Sequence, residues 1–215
     1  MGKGVWAKVH AKAIGGDRLT GYTATITSAT LRLRESRIVA DLLIRQANDD
    51  VWREIVFENN VLQMNSIESI RRVSRLLRAR MEPLGSKIWL LIRDGDRLQA
   101  TQAVLAGAVK HSRLLGDFMD IVLREQRSLF AKKLEYWMWD EYIGSCRGRD
   151  FKMPQWSEST IKKLRSSIFS MLSEAGYLEN TRSLRLQTVF LDDQLRHCLR
   201  EREERYVLRC LEVME

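Results

Sequence analysis

The chain has 215 residues, 36 of them lysine or arginine and 28 aspartate or glutamate, for a formal net charge of +8 at pH 7. Apolar residues at 45% and charged residues at 30%, with only 2 prolines and 12 glycines, exclude a collagen-like or low-complexity chain and wholesale disorder, and lean towards helix. The basic surplus invites an anionic partner without choosing among nucleic acid, an acidic protein and an anionic membrane surface.

Residues 1–20 carry Gly2, Gly4, Gly15 and Gly16 among basic side chains and read as a flexible basic arm. A helical N-terminal domain is expected over 21–110 and a second domain over 111–215. The run YTATIT at 22–27 alternates apolar residues with threonine, which suits a short strand. Ile38, Val39, Leu42 and Leu43 repeat at helical spacing, and Trp52, Ile55 and Val56 mark a second helix with Asn48, Asp49 or Asp50 as its cap. Asn65 or Ser66 caps the next helix. Its apolar stripe is Ile67, Ile70, Leu77 and Met81; Arg71, Arg75 and Arg78 fall at i, i+4 and i+7 on another face, joined by Arg72. A short buried helix follows at 88–92. Asp94-Gly95-Asp96 reads as a helix stop and a new cap, with Gln99 completing a capping box, rather than as a metal site. A helix of small residues covers 98–109.

Phe118, Ile121, Val122, Glu125 and Leu129 predict a long helix over 114–134. The aromatics Tyr136, Trp137, Trp139 and Tyr142 could stack on bases but read as core, and 147–150 breaks their helix. Ser157 opens a helix to about residue 175 that buries Ile161, Leu164, Ile168, Met171 and Leu172, and Gly176 stops it. A small β-hairpin follows, with strands at 177–178 and 184–190 around a turn at 179–183. Asp192 or Asp193 caps a charged helix, and 206–213 reads as a terminal strand.

No catalytic residue, cofactor or metal site is expected. His10, His111 and His197 lack metal-ligand spacing, and the adjacent His197 and Cys198 point in different directions on a helix. Phosphate-loop, dinucleotide and nucleophile-elbow motifs are missing. Cys146, Cys198 and Cys210 form no C-x-x-C pair, and free thiols without a secretory signal predict a cytoplasmic protein. The apolar runs 88–92 and 103–109 fall far short of the ~20 residues that cross a bilayer, so no membrane span is expected.

The order of the C-terminal elements is that of a winged helix-turn-helix. Ser159, Lys162, Lys163, Arg165 and Ser166 then occupy the exposed face of a recognition helix, where cations neutralise phosphates and hydroxyls supply short hydrogen bonds. Thr181, Arg182 and Arg185 sit on the wing, and Arg71, Arg75 and Arg78 extend the positive track. Charge is not concentrated there: residues 1–110 hold 18 basic against 11 acidic side chains, and 111–190 hold 13 against 10.

Several separated blocks carry a family resemblance: YTATITSATLRLRESRIVADLL (22–43), VKHSRLLGDF (109–118), WSESTIKKL (156–164), EAGYLENTRSLRLQ (174–187) and YVLRCLEV (206–213). In that order they resemble the BrxA family, accessory proteins of BREX bacteriophage-defence systems. The resemblance implies a mainly α protein without catalytic function: a NusB-like helical N-terminal bundle followed by a winged-helix unit that binds double-stranded DNA. It also implies work beside a BREX methyltransferase, an ATPase and a phosphatase-like protein. An RNA-binding protein of NusB type and a protein-docking scaffold are the rival functions.

Overall fold

The structure is a computed structural model and describes residues 21–27 and 30–214; the expected arm at 1–20 lies outside the described residues. The protein is mainly α. Its helices are α1 (Leu33–Ile44), α2 (Asp49–Arg53), α3 (Ile67–Met81), α4 (Ser86–Asp94), α5 (Arg97–His111), α6 (Arg113–Asp117), α7 (Arg124–Ser128), α8 (Tyr136–Arg149), α9 (Glu158–Glu174), α10 (Asp193–Glu201) and α11 (Arg205–Leu211). A π-helical stretch, Phe118–Leu123, joins α6 to α7 into one rod, and another, Glu54–Glu58, prolongs α2.

Short polar side chains start these helices. Asn48, Ser66, Asp96, Ser157 and Asp192 each accept a hydrogen bond from the backbone N–H three residues on, which satisfies a donor the helix cannot. At Asp96 the expected capping box is half formed: Asp96 accepts the Gln99 N–H, while the Gln99 side-chain nitrogen donates to Asp192 and Gln194. The small residues of α5 are buried throughout 100–109 and let neighbours approach closely. At Gly107 a Cβ would stand 2.7 Å from the Arg80 carbonyl oxygen of α3. The helix α4 packs on α1 and α5, while α10 and α11 fold back onto α4 and α5. Buried side chains from Tyr22 to Met214 form one continuous cluster.

Three local expectations are corrected. Residues 22–27 form a turn rather than a strand, with the Thr27 N–H and hydroxyl both donating to the Ala24 carbonyl. Tyr22 and Ile26 are buried there by tertiary contacts, and no ladder partner lies beside them among the described residues. Residues 206–213 are mostly helical: Val207, Cys210 and Leu211 are buried at i, i+3 and i+4 in α11. The helix expected over 114–134 stops at Ser128, where Phe130 takes a left-handed φ of 52° and the Ala131 N–H reaches back to the Gln126 carbonyl.

Among the described residues, strand pairing is confined to isolated antiparallel bridges, Lys133 with Arg185 and Leu178 with Leu186. Segment 184–187 lies between two others. The Leu134 N–H donates to Leu184 and the Leu186 N–H to Lys132; on the other side the Glu179 N–H donates to Arg185 and the Gln187 N–H to Tyr177. Residues 188–190, expected to continue the return strand, join no bridge.

Candidate nucleic-acid interface

Ser157 caps α9 through the Thr160 N–H, and Leu164, Ile168, Phe169, Met171 and Leu172 turn one face inward. Ser159, Lys162, Lys163 and Ser166 are exposed away from that face, and Arg165, one turn before Phe169, is half-buried at its edge. Lys162 stands 4.0 Å from Glu158, a contact between exposed groups that holds neither firmly. The Ser166 hydroxyl is occupied by the Lys162 carbonyl at 3.0 Å, and Ser159 shares a hydrogen bond with Ser157. The Arg165 guanidinium lies 4.5 Å above the centre of the Tyr136 ring.

The 179–183 turn is braced by Asn180, whose side-chain oxygen accepts the Arg182 and Ser183 N–H groups at 2.9 and 2.8 Å. Thr181, Arg182 and Arg185 are exposed. Arg185 bridges to Lys133, and Lys133 is three residues from Tyr136, so the short 132–136 stretch touches both the base of the turn and α9. Trp139, Tyr142 and Ile143 are core as expected, whereas Tyr136 and Trp137 are half-exposed, a difference their spacing does not reveal.

The arginines of α3 divide. Arg71, Arg72 and Arg75 are exposed. Arg78 is committed to the fold: it lies 4.8 Å over the Trp52 ring and pairs with Glu82 at 2.6 Å. Arg80 is 1% exposed, donates to the Thr30 carbonyl at 2.8 Å, and leaves its Nε without a partner. Burial draws its pKa down to about 10, against the opposing pull of Glu174. Burial, and secondarily the Arg80 charge, also lowers the pKa of His111 below its ordinary value. The folded state therefore takes up this proton less readily than the unfolded chain. Its contribution to stability is present above the unfolded value near 6.5 and is lost as pH falls through the folded value. Urea unfolding at pH 7.5 and 5.5 is expected to show lower stability in acid, and His111→Gln is expected to narrow that difference; an unchanged difference would remove His111 as its source.

A second polar cluster, invisible in the sequence, ties distant segments together. Asp117 accepts the Tyr22 hydroxyl at 2.6 Å and the Tyr206 hydroxyl at 2.7 Å, with Arg113 Nε at 3.3 Å. Burial raises both phenols well above their usual range. Burial likewise raises the thiols of Cys146, Cys198 and Cys210, which are free and buried and so are poor nucleophiles. Among the described residues there is no group of three His, Cys, Asp or Glu side chains that could hold a metal, and no helix long and apolar enough to cross a membrane.

These features define a class: a small, mainly helical protein with an exposed cationic helix face beside a braced basic turn. The chain belongs to the BrxA family, whose model matches residues 20–203. It is 43% identical over 192 residues to the BREX protein BrxA of Paramagnetospirillum magneticum, covering 89% of this chain and 96% of that protein. It is 29% identical to the BREX protein BrxA of Escherichia coli O9:H4, covering 79% of this chain and 80% of that protein. A crystal structure of an uncharacterized protein from Magnetospirillum magneticum is similar with a TM-score of 0.84 and 42% identity, covering 90% of this chain and all of that one.

Proposed function

We propose that this protein is a non-enzymatic, double-stranded-DNA-binding component of a BREX phage-defence system. In this reading α9 lies in the major groove and the 179–185 turn rests on the flanking backbone. The observation that carries it is the pairing of 184–187 between 132–134 and 177–179. The chain there runs helix (113–128), extended segment, α8, α9, extended segment, turn, extended segment, which is the order of a winged helix-turn-helix with α9 as the reading helix. The helices before it are read as the NusB-like bundle, with the division near 110. Exposed Lys162 and Lys163 on α9 and Arg182 and Arg185 at the turn supply the charge such a contact needs.

Binding of a fluorescent duplex is expected to weaken steeply between about 50 and 200 mM salt and to depend little on sequence as a whole. No binding at the lower salt would overturn the reading. Structured RNA that outcompetes the duplex would favour the RNA-binding rival. A docking scaffold has an observation of its own, since Phe130 and Phe151 are 91% and 95% exposed. Nuclease-insensitive co-purification with the BREX methyltransferase, ATPase or phosphatase-like protein, without affinity for free DNA, would select the scaffold.

A further inference from the structure

We infer that Arg165 is a preset two-pronged donor to the duplex and that Tyr136 is the residue that positions it; the inference rests on the DNA-binding reading above. Tyr136 is the first residue of α8, and its ring stacks on Phe169 with centroids 6.1 Å apart and planes 26° from parallel. Phe169 is buried against Phe118 and Trp139, so the Tyr136 ring is anchored to the core. Arg165 lies one helical turn before Phe169 on the same face of α9, and its guanidinium covers that ring at 4.5 Å.

This sets Arg165 apart from its neighbours. Lys162 and Lys163 are exposed point charges on flexible stems, suited to neutralising phosphate without fixed geometry. A guanidinium held over a ring is restrained in position, and its planar fork of N–H donors stays available at its edge. Arg165 has this ring contact and no ion pair among the described residues, so those donors are not spent on a carboxylate. Such a fork matches a coplanar pair of acceptors. On a duplex these are the O6/N7 edge of guanine or two oxygens of one phosphate.

The test uses the full chain in duplex titrations at two salt concentrations, on one G·C-containing and one all-A·T duplex. Arg165→Lys keeps the charge, so the salt slope is expected to stay while affinity falls roughly tenfold, the lower part of what a bidentate contact carries. A loss confined to the G·C-containing duplex assigns the fork to guanine; an equal loss on both assigns it to phosphate. Tyr136→Phe keeps the ring and is expected to bind like wild type, whereas Tyr136→Leu is expected to match the loss of Arg165→Lys. Adding Tyr136→Leu to Arg165→Ala is expected to cost nothing more. In the free protein, the ring-current shift of the Arg165 Nε–H signal is expected to vanish in Tyr136→Leu and persist in Tyr136→Phe. Wild-type affinity in Arg165→Lys, no loss in Tyr136→Leu, or a further loss in the double variant overturns the inference and leaves the DNA-binding reading standing. Absence of any wild-type binding overturns that reading and this inference with it, while the Nε–H signal still reports separately whether Tyr136 holds Arg165.

Discussion

Replacing Lys162, Lys163 and Arg165 together by glutamate is expected to weaken duplex binding by at least ~100-fold near 100 mM salt and to flatten its salt dependence. Each phosphate neutralised contributes about 0.9 to the slope of log affinity against log salt, so losing three contacts removes up to roughly 2.7 from it. The introduced carboxylates add repulsion. Lys162 and Lys163 are exposed and make no contact the fold needs, and Arg165 gives up only its place over Tyr136. Melting temperature is therefore expected to move little, which separates a lost interface from a lost fold. Unchanged affinity in a folded variant would move the contact to the N-terminal half, where the surplus of 18 basic over 11 acidic residues and the exposed Arg71, Arg72 and Arg75 lie.

Asp117→Ala is expected to be the most damaging single polar substitution, lowering stability by about 3 kcal/mol. The carboxylate is buried and serves Tyr22 from the N-terminal segment, Tyr206 from α11, and Arg113 one turn before it. Its removal leaves the hydroxyl of Tyr22, itself fully buried, without an acceptor, and strands that of Tyr206. The two arginines close to it, Arg113 and Arg149, are part-exposed and can turn to water, which keeps the loss below that of a fully buried ion pair. For a chain of this size the melting point is expected to fall by roughly 10 °C. Tyr22→Phe and Tyr206→Phe are each expected to cost about 1 kcal/mol. A loss below about 1 kcal/mol for Asp117→Ala, measured by urea unfolding, would show that the cluster does not hold these segments together.

Helix starts were legible in the sequence because the signal is local and chemical. Asn48, Ser66, Asp96, Ser157 and Asp192 are residues whose short side chains reach their own helix's free N–H groups, whatever surrounds them. Helix ends were legible at Gly95 after α4, at 147–150 after α8 and at Gly176 after α9, but not where a residue other than glycine turns left-handed. Four helices close with a left-handed residue followed by an N–H that reaches back five positions: Gln46 and Ala47 after α1, Phe130 and Ala131 after α7, Gly176 and Tyr177 after α9, and Glu203 and Glu204 after α10. Only Gly176 is a glycine, and of the four only that stop was readable. The other three take up the strained conformation in residues that give no sign of it. The two strands misread at 22–27 and 206–213 have the same origin. A short apolar run fits both periods, and what decides is whether a partner strand or a helix-facing core lies beside it.

The candidate surface divides in the same way. Composition, capping and the 3.6-residue period determined by themselves that the chain is mainly helical, that it carries a positive surplus, and that α9 turns Lys162 and Lys163 away from its apolar face. These are properties of neighbours along the chain. Tertiary structure alone decided that Arg78 and Arg80 are spent on the Trp52 ring and the Thr30 carbonyl, that Tyr136 lies under Arg165, and that Asp117 gathers Tyr22 and Tyr206. Each of these depends on residues brought together from far along the chain or from different elements. A cation's role is set by what desolvates or pairs it after folding, not by its place on a helical wheel.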